Sequence, residues 1–229
     1  MPVRPASTRR ADADTSDAPE RRRDADRTRA EILAVATAEF ARLGYNGARV
    51  DEIADLTRTT KRMIYYYFGS KKDLYLAALE SAYARIRAAE QQVDVSHLDP
   101  IAAVRHIAGI TFDHHEANPD FIRLVSIENV HNAEHLAELT DLAELNSPAI
   151  RLLEEILRQG RIQGLFRDDI DAVDLHMMIS AFCFFRVSNR HTFGAIFGRD
   201  MLDLARRDDY RQMLGDMIVG YLTAGRSPA

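Results

Sequence analysis

The sequence predicts an all-α fold in two parts, a small N-terminal three-helix unit joined to a larger helical body. Three observations predict it. Apolar residues recur at helical spacing from Ile32 onward, Pro and Gly fall between the apolar runs, and no stretch keeps the strict alternation of a half-buried strand. At 229 residues the chain has room for one small and one larger domain.

The elements follow in order. Thr28-Arg29-Ala30-Glu31 reads as a capping box, with the Thr28 hydroxyl and the Glu31 carboxylate each satisfying the other's free N–H. Ile32, Leu33, Ala36, Phe40 and Leu43 then mark one helix face, and Gly44 supplies a left-handed stop. A short helix is predicted from Val50 to Leu56, with Val50, Ile53 and Ala54 inward. A third opens at Thr60, an N-cap, with Met63, Ile64 and Tyr67 toward the core and Lys61, Arg62 and Tyr66 outward. Ser70-Lys71-Lys72-Asp73 caps a long helix running to about Gln92. Two lysines at that start oppose the helix dipole, a placement that makes sense beside a phosphate.

Beyond it, Asp99-Pro100 starts a helix striped by Ile101, Val104, Ile107, Ala108 and Thr111. Asn118-Pro119 breaks it and opens a segment to Val130. Leu136 to Leu145 is predicted as a short amphipathic helix, and Ser147-Pro148 as the N-cap and first residue of the next, which ends near Gly160 to Gly164. Asp171 to Asn189 is apolar almost all round, so it must be covered on every face. A last helix covers about Tyr210 to Tyr221.

Charge divides the chain in the same places. The total is −5, but residues 1–27 carry +1, residues 28–75 carry +2 and the rest −8. An acidic body beside a short basic face would orient the approach to a polyanion. Residues 1–27, rich in Arg, Asp and Ala, are expected to be a disordered arm in which Arg21, Arg22, Arg23 and Arg27 could reach phosphates. Cys183 is the only cysteine, which excludes an intramolecular disulfide. No apolar run suits a signal peptide or a membrane span, so a cytoplasmic protein without membrane contact is expected.

The block from Thr28 to Tyr75 resembles the DNA-binding domain of the TetR family of bacterial transcriptional regulators. The resemblance rests on Phe40 to Tyr45, Val50 to Ala54, and Tyr65 to Lys71. It implies domains at 28–75 (DNA-binding helix-turn-helix) and 76–229 (effector-binding and dimerisation). It also implies a repressor that binds a palindromic operator in double-stranded DNA as a homodimer and leaves it when a small molecule binds. Thr60, Lys61 and Arg62 would reach base edges, while Tyr66, Thr28 and Lys72 would touch the sugar-phosphate backbone. Tyr65 and Lys71 lie in the same signature. Arg58 stands where the family usually has Gly in the turn, followed by Thr59 where an apolar residue is common, and Arg49 stands where Ser or Thr usually caps the second helix. If the turn keeps a positive φ, Arg58 carries about 1–3 kcal/mol of strain. The helices near 148–162 and 171–189 would pair with their twofold mates.

Phe112, His115, Phe121, Leu124, Met178, Phe182, Phe185 and His191 could line an effector cavity, since Met and flat aromatics suit an adaptable apolar pocket. No cofactor is implied. Two other classes compete. A DNA-binding protein without an effector would grip random duplex nearly as tightly as an operator. A zinc hydrolase is suggested by His131-Asn132-Ala133-Glu134-His135, which fits H-x-x-E-H and would need both imidazoles on one helix.

Overall fold

The computed structural model describes residues 17–91, 94–139 and 142–224. Among these are ten α-helices: α1 Asp17–Gly47, α2 Val50–Leu56, α3 Lys61–Phe68, α4 Lys71–Gln91, α5 Pro100–Ala117, α6 Pro119–Val130, α7 Leu142–Ile162, α8 Ala172–Ser188, α9 Arg190–Phe197 and α10 Arg207–Thr223. No strand occurs among the described residues. The all-α prediction holds.

The first helix starts earlier than its apolar pattern. Residues 17–27, expected within a disordered arm, are helical, while residues 1–16 of that arm lie outside the described residues. Glu, Arg and Ala are strong helix formers, and Arg27 pairs with Asp24 at 3.2 Å, so this turn-by-turn extension needs no buried face. Thr28 therefore sits inside a helix and caps nothing; its hydroxyl donates to the Asp24 carbonyl at 2.8 Å. The regular helix does break at Gly44, where φ is 72°.

The middle of the body also differs from expectation. Leu136–Glu138 forms only a 3₁₀ turn, and α7 begins at Leu142, which places Pro148 within a helix. Leu142, Ala143, Glu144 and Leu145 are all strong helix formers and carry α7 upstream of the Ser147-Pro148 pair. Helix α9 lies in a stretch for which the apolar pattern predicted no element.

Packing cuts across the expected domain boundary. One core joins Ile32, Phe40, Ile53, Ile64 and Leu74 of the N-terminal unit to Phe121, Ile122 and Leu124 of α6. A second core collects Val104, Ile107 and Phe112 of α5, Leu153 and Leu157 of α7, Leu175 and Ile179 of α8, and Leu214 and Ile218 of α10. Helix α1 packs on both α4 and α6.

Apolar side chains left outside follow a clear pattern. Val173, Met177 and Phe185 of α8 are exposed, and so are Met213, Met217 and Tyr221 of α10. Within each helix they recur at multiples of four residues, which places them in a stripe. Helix α7 does the opposite, burying Leu153, Ile156 and Leu157 while Glu154, Glu155 and Arg158 face out.

Candidate DNA-binding surface and regulatory core

Helix α3 is built to present one polar face. The Thr60 side chain accepts from the Met63 N–H at 3.3 Å, fixing the first turn. Ile64 and Phe68 are buried beneath it, while Lys61, Arg62, Tyr65 and Tyr66 face out, Tyr66 with 77% of its surface exposed. Lys61 Nζ lies 3.0 Å from Asp51 Oδ1 of α2, an exposed pair that solvent screens. Thr59 is half-buried. Arg49 is exposed at the N-cap of α2 and makes no side-chain cap hydrogen bond, as its residue type led us to expect.

The turn between α2 and α3 demands the conformation anticipated for it. Arg58 has φ 51°, and its N–H donates to the Asp55 carbonyl at 3.2 Å. A Cβ in this region is strained by about 1–3 kcal/mol, of which a glycine's extra freedom when unfolded offsets up to about 1. Arg58→Gly should therefore raise unfolding free energy by about 1 kcal/mol, read as a higher urea midpoint with unchanged slope.

The start of α4 is tied to the body. The Ser70 hydroxyl accepts from the Asp73 N–H at 3.1 Å, completing the predicted cap. Lys71 lies over the Tyr45 ring at 4.8 Å, and burial lowers its pKa. Lys72 Nζ pairs with Glu138 Oε2 at 2.8 Å. One turn on, Tyr75 donates to Glu128 Oε1 at 2.8 Å, and the backbone N–H groups of His135 and Leu136 donate to Glu128 Oε2 at 3.2 and 2.9 Å. Glu128 is only 2% exposed, so α6, the following turn and α4 are latched through one buried carboxylate. The His135 ring completes the junction, 4.5 Å from the Tyr45 ring and 4.9 Å from that of Tyr75.

A second polar group lies deep between α4, α5 and α8. Arg87 and Glu90 form a buried ion pair. His114 is buried with neither ring nitrogen hydrogen-bonded, and Arg87 Nε and His115 Nδ1 likewise have no partner of adequate geometry. Each such group costs about 1–3 kcal/mol. Burial lowers His114 and His115 to about 4; Arg85 and Arg87 add to the effect on His114, and His114, His176 and Arg87 to that on His115, against a weaker opposing influence of the Thr111 backbone. Unfolded imidazole titrates near 6.5, so the unfolded chain binds more protons between these values. Stability is then full above about pH 6.5 and is lost as pH falls toward 4. Urea midpoints should fall steadily from pH 7 to pH 5, and His114→Phe should flatten that fall.

Comparison with known proteins decides the family. Residues 32–78 match the profile of bacterial regulatory proteins of the tetR family, and residues 100–218 match the tetracyclin repressor-like C-terminal domain. The transcriptional repressor NicS of Pseudomonas putida is 35% identical over 197 residues, covering 86% of this chain and 93% of that protein. The transcriptional repressor SCO4008 of Streptomyces coelicolor is 33% identical over 161 residues, covering 69% and 78%. A crystal structure of the transcriptional regulator SCO4942 from Streptomyces coelicolor superposes with a TM-score of 0.64 at 32% identity, covering 83% of this chain and 97% of that one. The chain belongs to the TetR family.

As a TetR-family member it is a DNA-binding transcriptional regulator with a helix-turn-helix in α2 and α3. Among its described residues no helix is long and apolar enough to cross a membrane. The hydrolase pattern does not have the support it needs. His131 to His135 forms a tight turn in which Asn132 and Ala133 both have φ 57°, so the two imidazoles do not share a helix face. His135 Nδ1 instead faces Glu128 Oε1 at 3.3 Å, without hydrogen-bond alignment.

The eight residues expected to line one cavity are distributed over several sites. His115 and Phe121 are neighbours, with ring centroids 5.7 Å apart. Leu124 shares the first core with Phe121, whereas Phe112 lies in the second beneath the Arg186 guanidinium at 3.9 Å, with Met178 and Phe182 packed at its edge. Phe185 is exposed against Phe193 of α9, and His191 lines a separate groove of about 490 Å³ between α1, α6 and α8. Arg87, Glu90, Tyr75 and Glu128 were missed altogether. The signal for them was present but thin: lone charged or hydroxyl-bearing side chains on otherwise apolar helix faces.

Proposed function

We propose that this TetR-family protein represses transcription by binding a palindromic operator as a homodimer and lets go when a small molecule occupies its helical body. The observation that carries it is the capped helix α3, with Ile64 and Phe68 anchored in a core shared with α6 and Lys61, Arg62, Tyr65 and Tyr66 exposed on the opposite face, Lys61 in a solvent-screened pair with Asp51. Thr60, Lys61 and Arg62 serve as base readers, and Arg49, Arg58, Thr59, Tyr65 and Tyr66 hold the backbone. Thr28, Lys71 and Lys72 need rearrangement first, since each is engaged within the protein. Repression is favoured by the names of NicS and SCO4008, both called repressors. Arg62→Ala should weaken operator binding by about 1–3 kcal/mol and relax preference at one base pair while the melting temperature stays put. Fluorescence anisotropy on operator and scrambled duplexes separates the cases: equal loss on both would move Arg62 to phosphate.

The dimer forms, in this reading, through α8 and α10. Their exposed stripes would meet a twofold copy as a four-helix bundle, whereas the charged outward face of α7 argues against the earlier expectation for residues 148–162. The recognition helices would then lie roughly 34–36 Å apart, one turn of DNA.

Release follows from the packing. An effector that favours a different setting of α4 and α6 would act through the Glu128 latch and the shared core, moving α3 off its spacing.

A further inference from the structure

We infer that the buried polar cluster between α4, α5 and α8 is the recognition end of the effector site and that it takes a small aromatic carboxylate. This rests on the proposal that the protein is ligand-released, and it gives that site a chemistry.

The cluster has more hydrogen-bonding capacity than the protein uses. Arg87, Glu90, His114 and His115 are exposed by only 6, 4, 9 and 4%. Arg87 Nη1 is taken by Glu90, but its Nε–H has no acceptor and both nitrogens of His114 are without partners, while the His115 ring has only a poorly aligned contact with the Thr111 backbone. Buried polar atoms in native proteins are nearly always satisfied, so three such atoms, on side chains near enough for Arg87 to act on the ionisation of His114, point to a ligand that satisfies them. His176 of α8 belongs to the same group: Arg87 acts on its ionisation as it does on that of His114 and His115.

The chemistry of the ligand follows from what is offered. Depressed as they are to about 4, His114 and His115 are neutral near pH 7, and His114 then presents one N–H as well as one bare nitrogen. With the Arg87 Nε–H, the donors call for a ligand rich in oxygen acceptors. The one guanidinium is already paired to Glu90, so a monoanion that hydrogen-bonds to the free Nε–H suits the cluster better than a phosphate dianion. The surrounding side chains select a flat ring. Phe121 stands edge-on to His114, His115 and Tyr83 at 5.8, 5.7 and 5.1 Å between centroids. A cleft of about 210 Å³ between α1, α4 and the start of α6 shares Phe121 with the cluster; Arg85, whose charge acts on His114, and Asp120 also line it, while Arg87, His114 and His115 lie on the Phe121 side of it and not in its lining. That volume fits one ring. Because Thr37 of α1 and Ala82 of α4 line the same cleft, an occupant would sit where the DNA-binding unit meets the body.

The test is calorimetric titration of the full-length protein at pH 7 with benzoate, its monohydroxylated forms, phenylacetate, benzamide and benzylammonium. At least one carboxylate should bind once per protomer, tenfold or more tighter than benzamide, with benzylammonium silent. Arg87→Met should lose that binding by a hundredfold or more. Since it strands Glu90, the paired change Arg87→Met with Glu90→Leu replaces the ion pair by apolar side chains and should fold while still failing to bind. Benzamide binding as well as the carboxylates, no carboxylate binding, or undiminished binding by the double variant would each overturn the inference. Operator binding measured in parallel keeps the two readings apart: a protein that holds its operator but ignores carboxylates refutes only this one, whereas one that holds no operator refutes the regulator itself.

Discussion

Met177→Asp should leave the protein monomeric and lower its operator affinity by about 10²–10⁴-fold, the gain that a second tethered half-site normally supplies. Met177 lies midway along the exposed α8 stripe between Val173 and Phe185, opposite which a twofold copy would place the same apolar surface. A carboxylate there would be buried without a partner, at a cost of several kcal/mol to association. Because Met177 is 59% exposed in the single chain, the monomer itself should keep its fold. Sedimentation velocity and anisotropy on the operator read the two effects. Met217→Asp on α10 should behave alike, and Arg158→Asp on α7 should not. A dimer that survives both methionine changes but dissociates with Arg158→Asp would return the interface to α7.

Removing the latch should be equally severe for a different reason. Glu128→Ala takes the acceptor from the Tyr75 hydroxyl and from two backbone N–H groups in a buried place. Three orphaned donors at about 1–3 kcal/mol each, partly relaxed, predict a loss of about 3–5 kcal/mol in unfolding free energy. Tyr75→Phe removes a donor instead of stranding one and should cost less, about 1–2 kcal/mol. Chemical denaturation orders the two. If Tyr75→Phe proves the more damaging, the junction depends on the Tyr75 hydroxyl and not on the backbone N–H groups that the carboxylate also holds.

Much of this arrangement was legible in the residues. Thr60, Ser70, Asp99 and Asp171 each announced a helix start and each caps one, because a side-chain oxygen beside a free N–H is a purely local matter. The positive φ at Arg58 was anticipated only conditionally, from the glycine that the resemblance puts in this turn. Residues 17–27 were not legible as a helix, because that stretch of sequence has no apolar stripe to read. The same blindness affected α9, whose apolar residues Ile196 and Phe197 stay exposed and so leave no inward face to find. Periodicity identifies inward residues but not what they meet. Phe112 and Phe121 were both rightly judged apolar and inward, and they ended in different cores. Glu128, Arg87 and His114 carry the sharpest chemistry, yet a single polar residue on an apolar face has no pattern.

The most direct test is selection of bound fragments from random and genomic DNA with purified protein at two salt concentrations, read by sequencing. A palindrome with half-sites one helical turn apart, retained at the higher salt and lost with Arg62→Ala, is the predicted result. Fragments with no shared sequence, held only at low salt, would contradict it and leave α3 as a generic cationic grip on the phosphate backbone.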